Sequence, residues 1–429
     1  MWHQPLFFSF ARRLCNFYAT GTPRNIEPLA SAGAHSQGSG WLSASDEARC
    51  RNITPGVEAA ALLSDRSPYL RVLVFVGGVA IALCLGLAWL THQEKLDPDA
   101  FLEAGGRADK PESTLIFPVS GAGVQALPRS AADLRTGLAN MLRSDRFSTS
   151  ALLIPGGQKA DAIPVVFLHG LMSIPDMWTS VVRYLRRDPG IAARYQFWFF
   201  YYPTGQPIPL SVLQFRETLD EAARQSRIHR PLVLVGHSMG GIVARAQAAS
   251  LTPERAEAML PGISSYPPEQ MVRRSLIFPA RTDVARIVFI ATPHRGTEFA
   301  YRGISRLGHY LIRLPRWIHE EILLFQDAIP QLGGRRYPTS IAGLSPGSAF
   351  LRMLDEAPLG APVHSILPVL GDPGDPLAND GVVPLWSSRV PFAVSELLVP
   401  GDHGAFDAPE SLSELRRILR LHAGLPALQ

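Results

Sequence analysis

The apolar run Pro231-Leu-Val-Leu-Val leads directly into Gly236-His-Ser238-Met-Gly240-Gly, and the stretch Ile242 to Ala249 that follows has helical character. A strand, a sharp turn centred on a serine and a helix in immediate succession suit few folds. The turn forces Ser238 into a strained backbone conformation and lifts its hydroxyl clear of the chain, while glycines two residues to either side remove Cβ atoms that would strike the neighbouring strand and helix. The helix then starts behind the serine, with its N-terminal dipole facing any negative charge that develops there. A second literal match, Gly343-x-Ser345-x-Gly347, has no strong strand before it. Its serine is followed by Pro346, which has no backbone N–H to offer an oxyanion, so Ser345 is rejected.

From Asp161 onward, short apolar runs alternate with amphipathic stretches, the pattern of strands and helices around a mostly parallel sheet. Core strands are expected at Val165 to Leu168, Phe197 to Tyr202, Leu232 to Val235, Ile287 to Ile290, Ile366 to Leu370 and Leu397 to Val399. Leu152 to Ile154 and Thr114 to Pro118 are candidate edge strands. The expected class is α/β, a mostly parallel sheet flanked by helices.

A serine nucleophile needs a base and an acid, which on such a sheet follow it in the order Ser, Asp or Glu, His, at the ends of later strands. His403, in Pro400-Gly-Asp-His-Gly, is the expected base, because His422 falls in a terminal helical stretch. Asp372, Asp375 and Asp380 share the preceding strand loop. Asp380 is preferred, since Asp372 and Asp375 each precede proline and read as turn formers; Asp402, beside His403, is a weaker candidate. The oxyanion hole is expected from the backbone N–H of Met239 and of Leu171, with Met172 as the alternative to Leu171. His169, on that early loop, reads as a side chain that orders it.

With His169-Gly170-Leu171, Gly236-His-Ser-Met-Gly-Gly, Thr292-Pro-His-Arg-Gly-Thr297, Asn379-Asp-Gly-Val-Val and Asp402-His403 in this order, residues 150 to 424 resemble lipases and esterases of the α/β-hydrolase superfamily. They are close to bacterial lipases and to deacylases resembling the glycosylphosphatidylinositol inositol deacylase. The resemblance implies a Ser238, Asp380, His403 triad cleaving carboxylic esters through an acyl-enzyme, with lipid-like acyl groups favoured. It makes Thr292 to Thr297 structural, with His294 a packing residue. It does not carry over the calcium of some bacterial lipases, for want of a second well-placed aspartate.

A lid is expected within the insertion at about 298–345, where Ile304, Leu307, Leu311 and Leu314 recur at helical spacing among Arg302, Arg306 and Arg313. Residues 251–282 form a Pro-rich excursion expected near the same entrance. No P-loop, H-E-x-x-H or paired C-x-x-C occurs, and cysteine stands only at 15, 50 and 84, so no metal or cofactor is expected. Gly121-x-Gly123-x-x-Ala126 imitates a dinucleotide fingerprint, but Pro128 interrupts its helix. The positive charge is nearly all scattered Arg, with Lys only at 95, 110 and 159, which gives no footprint for nucleic acid.

Val72 to Leu90 carries no charged side chain and at about 1.5 Å per residue reaches across a bilayer core. A disordered segment at 1–68, a transmembrane helix at 69–92, a linker with an edge strand at 93–149 and a catalytic domain at 150–424 are therefore expected. The first forty or so residues are also Arg-bearing and poor in acids, the composition of a transit peptide. Lys and Arg are balanced around the helix, and by analogy with a signal anchor the catalytic domain is placed outside the cytoplasm, on the periplasmic side. The expectation from another class is a catalytically idle domain of this fold serving as a membrane-anchored binding module.

Overall fold

A computed structural model describes residues 115–118, 134–144, 150–156, 159, 161–226, 230–298, 312–314, 318 and 339–426. The expected transmembrane segment at 72–90, the segment 1–68, the glycine pattern at 121–126 and most of the expected lid lie outside them. Among the described residues no helix is long and apolar enough to cross a membrane.

Eight strands form one sheet: β1 (Leu115–Pro118), β2 (Ala151–Ile154), β3 (Ile163–Leu168), β4 (Tyr195–Tyr201), β5 (Leu232–His237), β6 (Val284–Ile290), β7 (Val363–Val369) and β8 (Ser395–Pro400). Their order is β1-β2-β4-β3-β5-β6-β7-β8. β1 and β2 are antiparallel to their neighbours, and the remaining pairs are parallel. Each expected strand is present, with small shifts at the ends: Leu370, expected in β7, lies beyond it and is half exposed.

The apolar runs are continuous because both sheet faces are buried. Val166, Leu168, Leu234 and Phe289 face one core, with helices Ile208–Ser226 and Met239–Ala248. Val165, Phe167, Val235 and Ile290 alternate to the other, under helices Thr179–Leu185 and Pro409–His422. From β3 the chain passes to β4 on one side, and then to β5 on the other. Strand order therefore reverses at β3, and the crevice at the carboxyl ends of β3 and β5 is where such sheets bind ligands. In register, Leu168 lies opposite Gly236, which sets the loop after β3 beside Ser238.

The helix Leu134–Leu142 was not expected from the sequence. Its Asn140 side chain donates to the carbonyls of Ser173 and Tyr202, each at 3.1 Å, tying the loops after β3 and β4 together.

Candidate active site

At the end of β5, Ser238 adopts φ 53° and ψ −127° and caps the helix Met239–Ala248. A non-glycine residue held there costs on the order of 1–3 kcal/mol, which the surroundings must outweigh. Ser238 N–H donates to Ile290 O at 2.9 Å, fixing the turn to the end of β6. The glycines make the approach feasible. A Cβ on Gly240 would lie 2.3 Å from Leu168 O, and one on Gly236 2.5 Å from Gly241 Cα. Gly241, outside the expected roles, would put a Cβ 1.9 Å from Thr292 Oγ1, so the Thr-Pro-His-Arg-Gly segment packs directly on the nucleophile helix.

Three of the expected residues lie in one hydrogen-bonded chain. His403 Nε2 is 2.9 Å from Ser238 Oγ, and His403 Nδ1 is 2.7 Å from Asp380 Oδ2. Because a carboxylate only accepts, Nδ1 carries the proton and Nε2 is left free to accept from the serine hydroxyl. Asp380 is 1% exposed; its Oδ1 receives Val382 N–H at 2.9 Å and Val383 N–H at 2.6 Å, and its carbonyl receives His403 N–H at 2.8 Å. The other aspartates close turns: Asp372 Oδ1 accepts from Gly374 N–H, Asp375 Oδ1 from Leu377 N–H and Asp402 Oδ1 from Gly404 N–H. Ser345 follows the short helix Ser340–Gly343, not a strand, and packs against Gly296.

The loop after β3 abuts the serine, since a Cβ on Gly170 would stand 3.0 Å from Ser238 Cβ. Met172, at φ 55°, spends its N–H on Thr204 Oγ1 at 3.3 Å. Leu171 N–H has no acceptor among the described residues, and Met239 N–H opens a helix, where no intrahelical acceptor exists. The N–H groups of Leu171 and Met239 are thus both without an acceptor among the described residues. His169 is fully buried, stacks on Tyr202 at 4.5 Å, and its carbonyl receives the Tyr202 hydroxyl at 2.6 Å. Burial pushes its imidazole down to about 3, so it is neutral. His294 is buried edge-on to Phe289.

Asn140, Tyr202 and His237 carry no motif signal of their own, and sequence reasoning passed over them. Among the described residues no group of three or more His, Cys, Asp or Glu is arranged to hold a metal ion. Of the four apolar positions named for the expected lid, Leu314 is described; it is buried with Leu210 and Ile318, while Arg313 beside it is exposed and its N–H donates to Leu142 O at 2.9 Å.

Solved structures similar to this chain include a mature Bacillus licheniformis lipase, at 17% identity over 61% of this chain and 94% of that one, with a TM-score of 0.38. A thermostable carboxyl esterase from Bacillus coagulans is 13% identical over 66% of this chain and 96% of its own, with a TM-score of 0.36. EstA from Clostridium botulinum is 13% identical over 63% and 90%, with a TM-score of 0.38. No curated protein matches the sequence. The model of the alpha/beta hydrolase family matches residues 165–415, more than half of the chain. The chain therefore belongs to the alpha/beta hydrolase family.

Proposed function

We propose that the protein is a serine hydrolase of carboxylic esters, and the observation that carries this is the chain of hydrogen bonds from Ser238 Oγ through His403 to Asp380. Ser238 Oγ attacks the acyl carbon as His403 Nε2 takes its proton. The oxygen that becomes negative is held by the N–H groups of Leu171 and Met239, aided by the helix behind Ser238. The C–O bond to the alcohol breaks, and His403 returns the proton to the departing oxygen. Water, deprotonated by His403, then attacks the acyl carbon; the bond to Ser238 Oγ breaks, His403 returns the proton to the serine, and the carboxylic acid leaves. Asp380 holds the Nδ1–H tautomer and stabilises the imidazolium formed in each step.

Lipid-like acyl groups are the proposed substrates. That class rests on the motif resemblance and the apolar run at 72–90; a cavity of about 390 Å³, lined by Ile208, Leu210, Met271, Leu276, Ile318 and Phe350 among others, includes none of Ser238, Asp380, His403, Leu171 and Met239 in its lining. It falls within the size range of small-molecule sites, and it brings the 251–282 excursion against the lower end of the expected lid. A membrane tether through residues 72–90, with the catalytic domain on the periplasmic side, belongs to the same proposal. Retention in the membrane fraction after alkaline carbonate washing would support the tether, and release would overturn it.

The test of the chemistry is hydrolysis of p-nitrophenyl esters, from short to long chains, by the full chain. Ser238→Ala is expected to lower kcat by about 10⁴- to 10⁶-fold. A fluorophosphonate should label the wild type and Ser345→Ala but not Ser238→Ala. A folded wild type that is neither labelled nor active on any ester would overturn the proposal and leave a binding module.

A further inference from the structure

Among the described residues, His237, the residue between Gly236 and the nucleophile, is the buried imidazole that bonds to the main chain of His403. Its Nε2 lies 2.9 Å from His403 O. A carbonyl oxygen has no proton to give, so His237 Nε2–H is the donor and its tautomer is fixed by that bond. The ring packs 4.9 Å from the His403 ring and 5.2 Å from Phe406. Its other nitrogen, Nδ1, is buried without a partner, and a Cβ on Gly170 would lie 3.2 Å from it. The His237 side chain thus spans from the His403 loop to the loop that bears Leu171.

The main chain of His403 is held at both polar groups: its N–H by Asp380 O and its C=O by His237 Nε2–H. The rest of the turn is held through Asp402, whose Oδ1 takes Gly404 N–H at 2.9 Å and whose carbonyl takes Ala405 N–H at 3.0 Å, and through Gly401 N–H on Val369 O at 3.0 Å. β8 ends at Pro400, the next helical turn begins at Ala405, and Gly401 and Gly404 lie between. With the carbonyl anchor gone, the peptide after His403 keeps one hold, Gly404 N–H on Asp402 Oδ1 at 2.9 Å, and tilts about it, so the imidazole shifts relative to a serine whose own position is set by β5 and β6. An error of about 1 Å in such a geometry is enough to lower a rate by about 100-fold.

We infer that His237 is a positioning residue for the general base, holding His403 over Ser238 through the His403 carbonyl, which rests on the roles proposed above for Ser238 and His403. Neutrality suits the task. Burial first, and repulsion by His403 second, push the His237 imidazole down to about 3, so no cation competes with the imidazolium that forms on His403 during turnover.

The experiment compares His237→Gln, His237→Asn and His237→Phe in the full chain, using p-nitrophenyl butyrate turnover, the fluorophosphonate labelling rate and thermal denaturation. The Gln amide reaches about as far as the lost Nε2–H, the Asn amide stops one bond short, and Phe keeps the ring without a donor. The expected result is a fall in kcat and labelling rate of about 10- to 100-fold for Asn and Phe with KM little changed, and recovery to within about fivefold of wild type for Gln. Wild-type kcat in folded Asn or Phe variants overturns the inference. So does a Gln variant as impaired as Phe, or an Asn variant that unfolds while Gln stays folded and active, since packing would then be the cause. A wild type that the probe does not label fails the triad itself, which is a separate outcome from any difference among the three variants.

Discussion

Asp380 divides its carboxylate between the turn and the histidine: Oδ1 takes the N–H groups of Val382 and Val383, and Oδ2 takes His403 Nδ1. Replacing it by Asn keeps the size but presents an amide that favours the wrong His403 tautomer. Asp380→Asn should therefore lower kcat by about 10³- to 10⁴-fold with a small change in KM, while Asp372→Asn and Asp375→Asn stay near wild type on p-nitrophenyl esters. A comparable loss in Asp372→Asn would remove Asp380 from the proposed role. Ser238, His403 and the aspartate turn were legible because each needs a recognisable local sequence: glycines around a strained serine, the one histidine in the loop directly after the last strand, an Asn-Asp-Gly turn. His237 was not. It occupies a variable place in the Gly-x-Ser-x-Gly pattern, and its partner, a main-chain carbonyl 166 residues away, leaves no mark on the sequence.

The strands could be read because both faces of this sheet are dry, so Val165 to Leu168, Leu232 to Val235 and Ile287 to Ile290 stand out as unbroken apolar runs. The helix Leu134–Leu142 could not, because it is short and its role lies in two close contacts. One is the Asn140 side chain bridging Ser173 O and Tyr202 O. The other is Gly137, where a Cβ would meet Met172 O at 1.8 Å and Ser173 N at 3.0 Å. Gly is normally about 1 kcal/mol worse than Ala in a helix interior, so Gly137→Ala would stabilise a free-standing helix. Here the added methyl meets main chain that has no rotamer to escape into. Gly137→Ala is expected to destabilise the fold by about 1–3 kcal/mol and to lower kcat by displacing the loop that carries Leu171. A variant that melts at or above the wild-type temperature with unchanged kcat would show that the loop yields freely and that the helix does not set its position.

Across the whole molecule, histidines are buried neutral on both sides of the sheet and in the site itself. His169 and His237 are pushed down to about 3 and His364 to about 4, each chiefly by desolvation; His294 lies well below its ordinary value, and His422 is lowered. His364 shows why the neutral form is required: Arg286 donates to its Nε2, so its Nδ1–H faces Ser395 Oγ at 2.7 Å, and a second proton would set a cation against the guanidinium. In the unfolded chain these groups titrate near 6.5. Between about 6.5 and 4 the unfolded chain therefore binds protons that the folded one refuses. Stability is fully present above about 6.5 and drains as pH falls, at about 1.4 kcal/mol per pH unit for each such histidine. Asp176 acts in the opposite sense: raised to about 6 by burial, it keeps its proton in the fold between about 4 and 6 and offsets one histidine there. The histidines outnumber it. Calorimetry should find a melting temperature that is level from pH 8 to 7 and falls steeply from pH 6.5 to 4.5, and His364→Gln, neutral at every pH, should flatten that fall by about one proton's share. A wild-type melting temperature that holds level down to pH 5 would mean that these imidazoles find protons in the folded state, and with them a site far wetter than its hydrogen bonds describe.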